Sequence, residues 1–123
     1  MIELGFGVLC AAALIGVVLA LLYLRGPAAR PPHPAVAACH GAIGAAGLAA
    51  LLLALGHPRA PDAMGTAGFG RASAGLVGVA LALGVAIAWT AWRGRRASGA
   101  LVGAHAGFAI AGLVMLLALI ALG

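Results

Sequence analysis

The residues best suited to chemistry are two histidines that stand inside long apolar stretches. His40 lies about five residues, and His105 about six residues, after the start of its stretch. A neutral imidazole can ligate a metal ion, and an ionisable side chain within a membrane span is costly enough to indicate a functional site. Near the edge of a span, an imidazole can also bond to a neighbouring carbonyl group or to interfacial water. Both interpretations stay open for either histidine alone.

The segments around the two histidines match each other. The residues at the same offsets are Gly47-Leu48, Leu51-Leu52 and Leu55 after His40, and Gly112-Leu113, Leu116-Leu117 and Ile120 after His105. Two further matches pair Phe6-Gly7 with Phe69-Gly70, and Tyr23-Leu24-Arg25 with the Trp92-Arg93 edge. We therefore expect two hairpins of the same orientation, related by an axis along the membrane normal. The repeat places both histidines at nearly equal depth.

Histidines on alternate helices of a four-helix bundle can face each other across the core, where bundle proteins build cofactor sites. Haem iron accepts an imidazole from each side, so we predict that His40 and His105 are the metal ligands of one b-type haem. Gly47 and Gly112 lie almost two turns from their histidines, and Gly44 lies one turn from His40. We expect these three glycines to leave room for the macrocycle. Quinone is the other candidate ligand of the histidine pair.

The composition places these helices in a membrane. Of the 123 residues, 65% are apolar and 7% are charged, whereas about 25% of residues are charged in an ordinary soluble domain. A soluble fold of this size keeps a large solvated surface, which a mean hydropathy of +1.20 cannot supply. We therefore predict an integral membrane protein in contact with the lipid bilayer.

Four uncharged stretches are each long enough to cross the hydrocarbon, for which about 20 residues are needed. They are Leu4–Leu24, Ala35–Leu55, Ala72–Trp92 and Gly99–Leu122. Their length and the absence of a period-2 alternation favour helices over barrel strands. The predicted fold is all-α, a single transmembrane domain over residues 1–123 that forms a four-helix bundle from two repeated hairpins.

The distribution of the arginines predicts which side of the membrane each connection occupies. Five lie in the first and third connections and two lie in or beside the second, namely Arg25, Arg30, Arg93, Arg95 and Arg96 against Arg59 and Arg71. Because an excess of arginine marks the cytoplasmic side, we expect the first and third connections in the cytoplasm and both termini outside, in the inner membrane of a bacterium. Tyr23, Trp89 and Trp92 precede these arginines, at the depth that amphipathic rings prefer.

Several classes of function lack the residues that they need. The net charge of +5 comes from arginines between apolar stretches, so nucleic acid is not predicted as a partner. The spans offer no buried carboxylate relay, and no hydroxyl group has an acid-base partner for a hydrolase triad. Cys10 and Cys39 lie about 15 Å apart in depth and cannot form a disulfide. His33 and His57 are expected to be solvated loop residues.

In general plan the predicted bundle resembles the small membrane b-type cytochromes, through its four helices and two candidate axial histidines. Two hypotheses for function follow from the residues. The first is an electron-transfer subunit that exchanges electrons with quinone or a partner subunit through the haem. The second is a cofactor-free structural or assembly subunit of a larger respiratory or photosynthetic complex, docked through its glycines. Both predict partner subunits, and neither predicts a stand-alone enzyme.

Overall fold

The computed structural model describes residues 1–25, 34–56 and 67–122. These residues form four helices and no strand, and the helices are α1 (Ile2–Leu24), α2 (Pro34–Gly56), α3 (Ala67–Trp92) and α4 (Gly99–Leu122). All four are long and apolar enough to cross a membrane, with peak hydropathies between 1.9 and 2.6. The predicted all-α fold of four membrane-spanning helices is confirmed.

The start of α3 differs from the prediction. The helix begins at Ala67 instead of Ala72, so Arg71, Gly68 and Gly70 belong to the helix and not to the connection before it. The predicted span began directly after the charge of Arg71, but one arginine does not interrupt a helix. Arg71 is exposed near the helix end, where its long side chain can carry the guanidinium into the polar layer while the stem stays in apolar surroundings.

The helices pack as two hairpins. The most extensive contacts join α1 to α2 and α3 to α4, and smaller ones join α2 to α3 and α1 to α4. Within the described residues, the backbones of the diagonal pairs, α1 with α3 and α2 with α4, do not approach each other closely. The two helices that carry the histidines are therefore diagonal partners, as the sequence analysis expected.

The buried core lies between the hairpins, in the half of the bundle away from the histidines. Leu51 and Leu116 are fully buried at its centre, and Leu9, Val77 and Leu119 are nearly so. Large apolar side chains elsewhere face outward, which suits a bundle whose surroundings are lipid. With lipid outside, helix association depends on close van der Waals packing rather than on a hydrophobic driving force.

Glycines provide that close packing at equivalent places in both hairpins. A Cβ built on Gly47 would lie 2.7 Å from Cγ of Leu9, and one on Gly112 would lie 2.7 Å from Cγ2 of Val77. These contacts make Leu9 the counterpart of Val77. The repeat proposed from the sequence therefore corresponds to matching contacts in the two hairpins.

The contacts also correct one of the sequence matches. Aligning Leu9 with Val77 keeps the match of Arg25 with Arg93 but not that of Phe6-Gly7 with Phe69-Gly70. Gly70 instead packs against Leu55 and Leu119. The Phe-Gly match was wrong because two residues of common types can coincide by chance, whereas the packing contacts fix the register of a whole helix.

Candidate functional site

The structure brings together the two histidines that the sequence predicts to face each other. The ring centroids of His40 and His105 are 5.9 Å apart, and the ring planes make an angle of 75°. Each residue lies about 9 Å along the axis from the first residue of its helix, Pro34 or Gly99. The two imidazoles, hereafter the histidine pair, therefore meet at one depth in the interior, on the side where α2 and α4 begin.

Each ring is bonded to the other helix of its own hairpin. Nδ1 of His40 lies 2.9 Å from the carbonyl oxygen of Ala12 in α1, and Nδ1 of His105 lies 2.7 Å from that of Ala80 in α3. A carbonyl oxygen only accepts hydrogen bonds, so Nδ1 is the donor in both cases. In a neutral imidazole this assignment leaves the lone pair on Nε2. The pair thus offers two nitrogen ligands with matching tautomers.

A glycine beside each ring completes the symmetry. A Cβ on Gly16 would lie 3.0 Å from Cε1 of His40, and one on Gly84 would lie 3.2 Å from Cε1 of His105. Both glycines stand about one turn beyond the alanine that accepts the hydrogen bond from the ring. The absence of a side chain at these positions lets each imidazole lie against the backbone of the neighbouring helix.

The sequence analysis missed these four positions in α1 and α3. The signal that could have found them is the correct register of the repeat, in which Ala12 matches Ala80 and Gly16 matches Gly84. The Phe-Gly match hid that register. A comparison anchored on the arginine-glycine pair that follows each of these helices would have brought the alanines and glycines into line.

Gly16→Ala should displace the His40 ring. The added methyl group would meet Cε1 at 3.0 Å, so the ring must move and its bond to Ala12 weakens. We expect a loss of about 0.6 kcal/mol, the average for such a bond between membrane helices, together with a shift of the Nδ1–H resonance of His40 in nitrogen-labelled protein. Gly7→Ala is the control, since a Cβ there has nothing within 4 Å. Equal effects of the two variants would contradict the proposed contact.

The three glycines proposed to border a cofactor have different surroundings. A Cβ on Gly44 would have nothing within 4 Å. Gly47 and Gly112 are buried, and the side chains of Leu9 and Val77 fill the space beside them. At Gly47 and Gly112 the room that the absent side chain leaves is used for helix packing. Their contact with a cofactor stays a prediction.

The donor set restricts which metal centre the pair could form. Within the described residues, no group of three or more His, Cys, Asp or Glu side chains could hold a metal ion. A protein site for zinc needs three or four such ligands, whereas haem brings four nitrogens of its own and needs only two axial ligands. With the Nε2 lone pair of both rings left as a ligand and the centroids 5.9 Å apart, the donor set suits haem better than a protein-only metal site, and haem as the cofactor stays a prediction.

An open groove on the outside of the bundle lies about one turn from His105. Five residues of α3 and α4 line its volume of about 320 Å³, namely Leu76, Ala104, Gly107, Phe108 and Ala111. The lining is entirely apolar, so it offers no hydrogen-bond donor to the carbonyl oxygens of a quinone. The groove does not identify a quinone site, and quinone as a ligand of the histidine pair stays a prediction.

The remaining sequence expectations have mixed outcomes. Cys10 and Cys39 are both free, as their depths predicted. His33 and His57 lie outside the described residues, as do Arg30 and Arg59. Which side of the membrane each connection occupies stays a prediction.

No protein-family model matches the chain, and no curated protein or solved structure matches it significantly. The resemblance in general plan to small membrane b-type cytochromes therefore rests on the four helices and the histidine pair. Fold and site together define a class, that of four-helix membrane-spanning proteins with an interior pair of histidines. Within that class the chemistry of the pair decides what can be proposed.

Proposed function

We propose that this protein is a small membrane electron-transfer subunit that holds one b-type haem between His40 and His105. The observation that supports this most strongly is the position of the pair. Two imidazoles from diagonal helices lie 5.9 Å apart at their centroids, each with Nδ1 bonded to a backbone carbonyl oxygen. Metal-binding histidines characteristically donate their second ring nitrogen in this way.

The chain's own residues would orient the ligands and tune them. The bonds to Ala12 and Ala80 hold each ring in one tautomer and raise the basicity of Nε2. Gly16 and Gly84 set how closely each ring approaches its neighbouring helix. Both rings are half-buried, and the degree of burial helps to set a redox potential. When bound, haem supplies one-electron chemistry.

Electron exchange in this proposal requires a partner. The described residues are almost entirely membrane-spanning helix, which leaves little surface for substrate chemistry outside the bilayer. Electrons would therefore pass to or from quinone or another membrane subunit, and the protein would act as part of an oxidoreductase complex.

One observation favours the second candidate, a cofactor-free structural or assembly subunit. The Nδ1 bonds that would orient haem ligands also satisfy the histidines and join α1 to α2 and α3 to α4. A polar bond between membrane helices contributes about 0.6 kcal/mol on average. In this case the histidine pair would stabilise the hairpins, and other subunits would cover the exposed small residues.

An optical spectrum separates the two candidates. The chain would be purified in mild detergent from cells supplied with haem precursor, air-oxidised and then reduced with dithionite. A sharp reduced-minus-oxidised α-band at one haem per chain would support the electron-transfer proposal. A featureless spectrum, both from this preparation and after incubation with added haem, would contradict it and favour the structural subunit.

A further inference from the structure

The arginines of the described chain collect at one end of the bundle. Four exposed arginines stand directly after α1 and around the connection from α3 to α4, namely Arg25, Arg93, Arg95 and Arg96. We call this the basic end. Glu3 lies in the first turn of α1, at the opposite end, so the described residues of the basic end contain no carboxylate. The positive charge there has no counterion among them.

Aromatic rings hold two of these arginines. The guanidinium carbon of Arg96 lies 4.3 Å from the ring centroid of Tyr23, and Arg96 also donates a hydrogen bond to the carbonyl oxygen of Tyr23. Arg93 lies 5.2 Å from the ring centroid of Trp89. A guanidinium over a ring face has N–H groups along its edge that can bind a planar or phosphate oxyanion. Stacking therefore orders these cations without using all of their donors.

The connection that carries three of the arginines is itself ordered against α1. The hydroxyl of Tyr23 donates a hydrogen bond of 3.0 Å to the carbonyl oxygen of Ala97. Gly94 has a φ of +69°, a conformation that glycine adopts at little cost and that turns the chain after α3. The arginines before and after this turn are thus presented together on one short connection.

The surroundings of the basic end are those of a lipid headgroup layer. The membrane-spanning helices α1 and α3 end there, and Trp89 and Trp92 are 51% and 79% exposed beside the arginines. Exposed tryptophans at span ends lie at the level of the headgroups. We propose that the basic end binds the headgroup phosphate of anionic phospholipids of the phosphatidylglycerol class. Lipid is favoured over an acidic protein because the cations stand in the same layer as the tryptophans.

The test measures lipid binding to the full chain in detergent micelles. Dioleoyl phosphatidylglycerol and dioleoyl phosphatidylcholine are titrated separately, and bound lipid is counted by native mass spectrometry while Tm is followed in parallel. We expect phosphatidylglycerol to stay bound to the protein in the mass spectrometer and to raise its Tm. We expect phosphatidylcholine to do neither. Arg93→Gln combined with Arg95→Gln should weaken that binding of phosphatidylglycerol about 25-fold, since each arginine near an anionic surface is worth about a fivefold change.

Arg71→Gln, compared with Arg93→Gln alone, is the matched control, because each removes one exposed arginine and Arg71 lies at the other end of the bundle. We expect Arg71→Gln to change affinity by less than about twofold. Equal binding of phosphatidylcholine would overturn the proposal, as would equal losses in Arg71→Gln and Arg93→Gln. A titration with inorganic phosphate in place of lipid distinguishes a lipid headgroup from a free anion. If phosphate raises Tm as much as phosphatidylglycerol does, the basic end is a free-anion site and the lipid assignment is overturned. Circular dichroism of the variants checks that they fold.

Discussion

His40→Ala and His105→Ala should each abolish the α-band of the reduced protein. Either change removes one of the two nitrogen ligands that the proposal assigns to the iron, and no third His, Cys, Asp or Glu joins the pair among the described residues. The measurement is haem content per chain, from the reduced-minus-oxidised spectrum of each purified variant. We expect the ratio to fall from one to an undetectable level in both.

Loss of folding would give the same spectrum, so a second variant is needed. His105→Met keeps a side chain that can ligate iron, and methionine-histidine ligation raises the potential relative to a histidine pair. We expect this variant to retain an α-band with a higher midpoint potential. A purely structural role for His105 would not move a potential. Persistence of the band in both alanine variants would exclude the histidine pair as the axial ligands.

The alanine variants also measure what the histidines contribute to stability. Each loses one hydrogen bond to a carbonyl group of the neighbouring helix, a change of about 0.6 kcal/mol for a bond between membrane helices. Circular dichroism should therefore still show a folded, helical protein. If the protein is a cofactor-free subunit, this modest loss is the whole effect of the substitution.

The four helices could be predicted from the sequence because they depend on composition and length. Apolar stretches of about 20 residues have few alternatives to membrane-spanning helices, so the four elements were predictable to within a few residues. The juxtaposition of His40 and His105 was predictable for a different reason. Histidine is rare in such stretches, and a rare residue at matching repeat positions carries more information than the leucines around it.

The partners of the histidine pair could not be predicted in the same way. Ala12, Gly16, Ala80 and Gly84 are small residues in helices full of alanine and glycine, and nothing in their types marks them. Their role depends on the rotation and axial shift of α1 against α2 and of α3 against α4. The register of the repeat aligns Ala12 with Ala80 and Gly16 with Gly84, but the packing at Leu9 and Val77 decides that these positions meet the histidines.

The packing of Gly47 and Gly112 against the neighbouring helices leads to the second prediction. Gly47→Ala should lower the free energy of unfolding by about 1–3 kcal/mol, the usual range for overpacking. The new Cβ would lie 2.7 Å from Cγ of Leu9 and 3.3 Å from its backbone nitrogen, so a rotamer change of Leu9 alone cannot relieve the contact. Gly112→Ala should behave alike against Val77. The measurement is unfolding in mixed micelles with increasing dodecyl sulfate, followed by circular dichroism.

Gly44→Ala is the matched control, because it adds the same methyl group on the same helix where nothing lies within 4 Å. We expect no loss of stability there. In protein that also carries Leu9→Ala, the Gly47→Ala change should lower the free energy of unfolding much less, because the side chain that the new methyl group meets has been shortened. Residues in contact commonly show such coupling. If, with Leu9 unchanged, Gly47→Ala instead lowers the free energy of unfolding no more than Gly44→Ala does, the side chain of Leu9 can move out of the space beside Gly47. The packing contact with Leu9 would then not stand against the predicted place of Gly47 beside a cofactor.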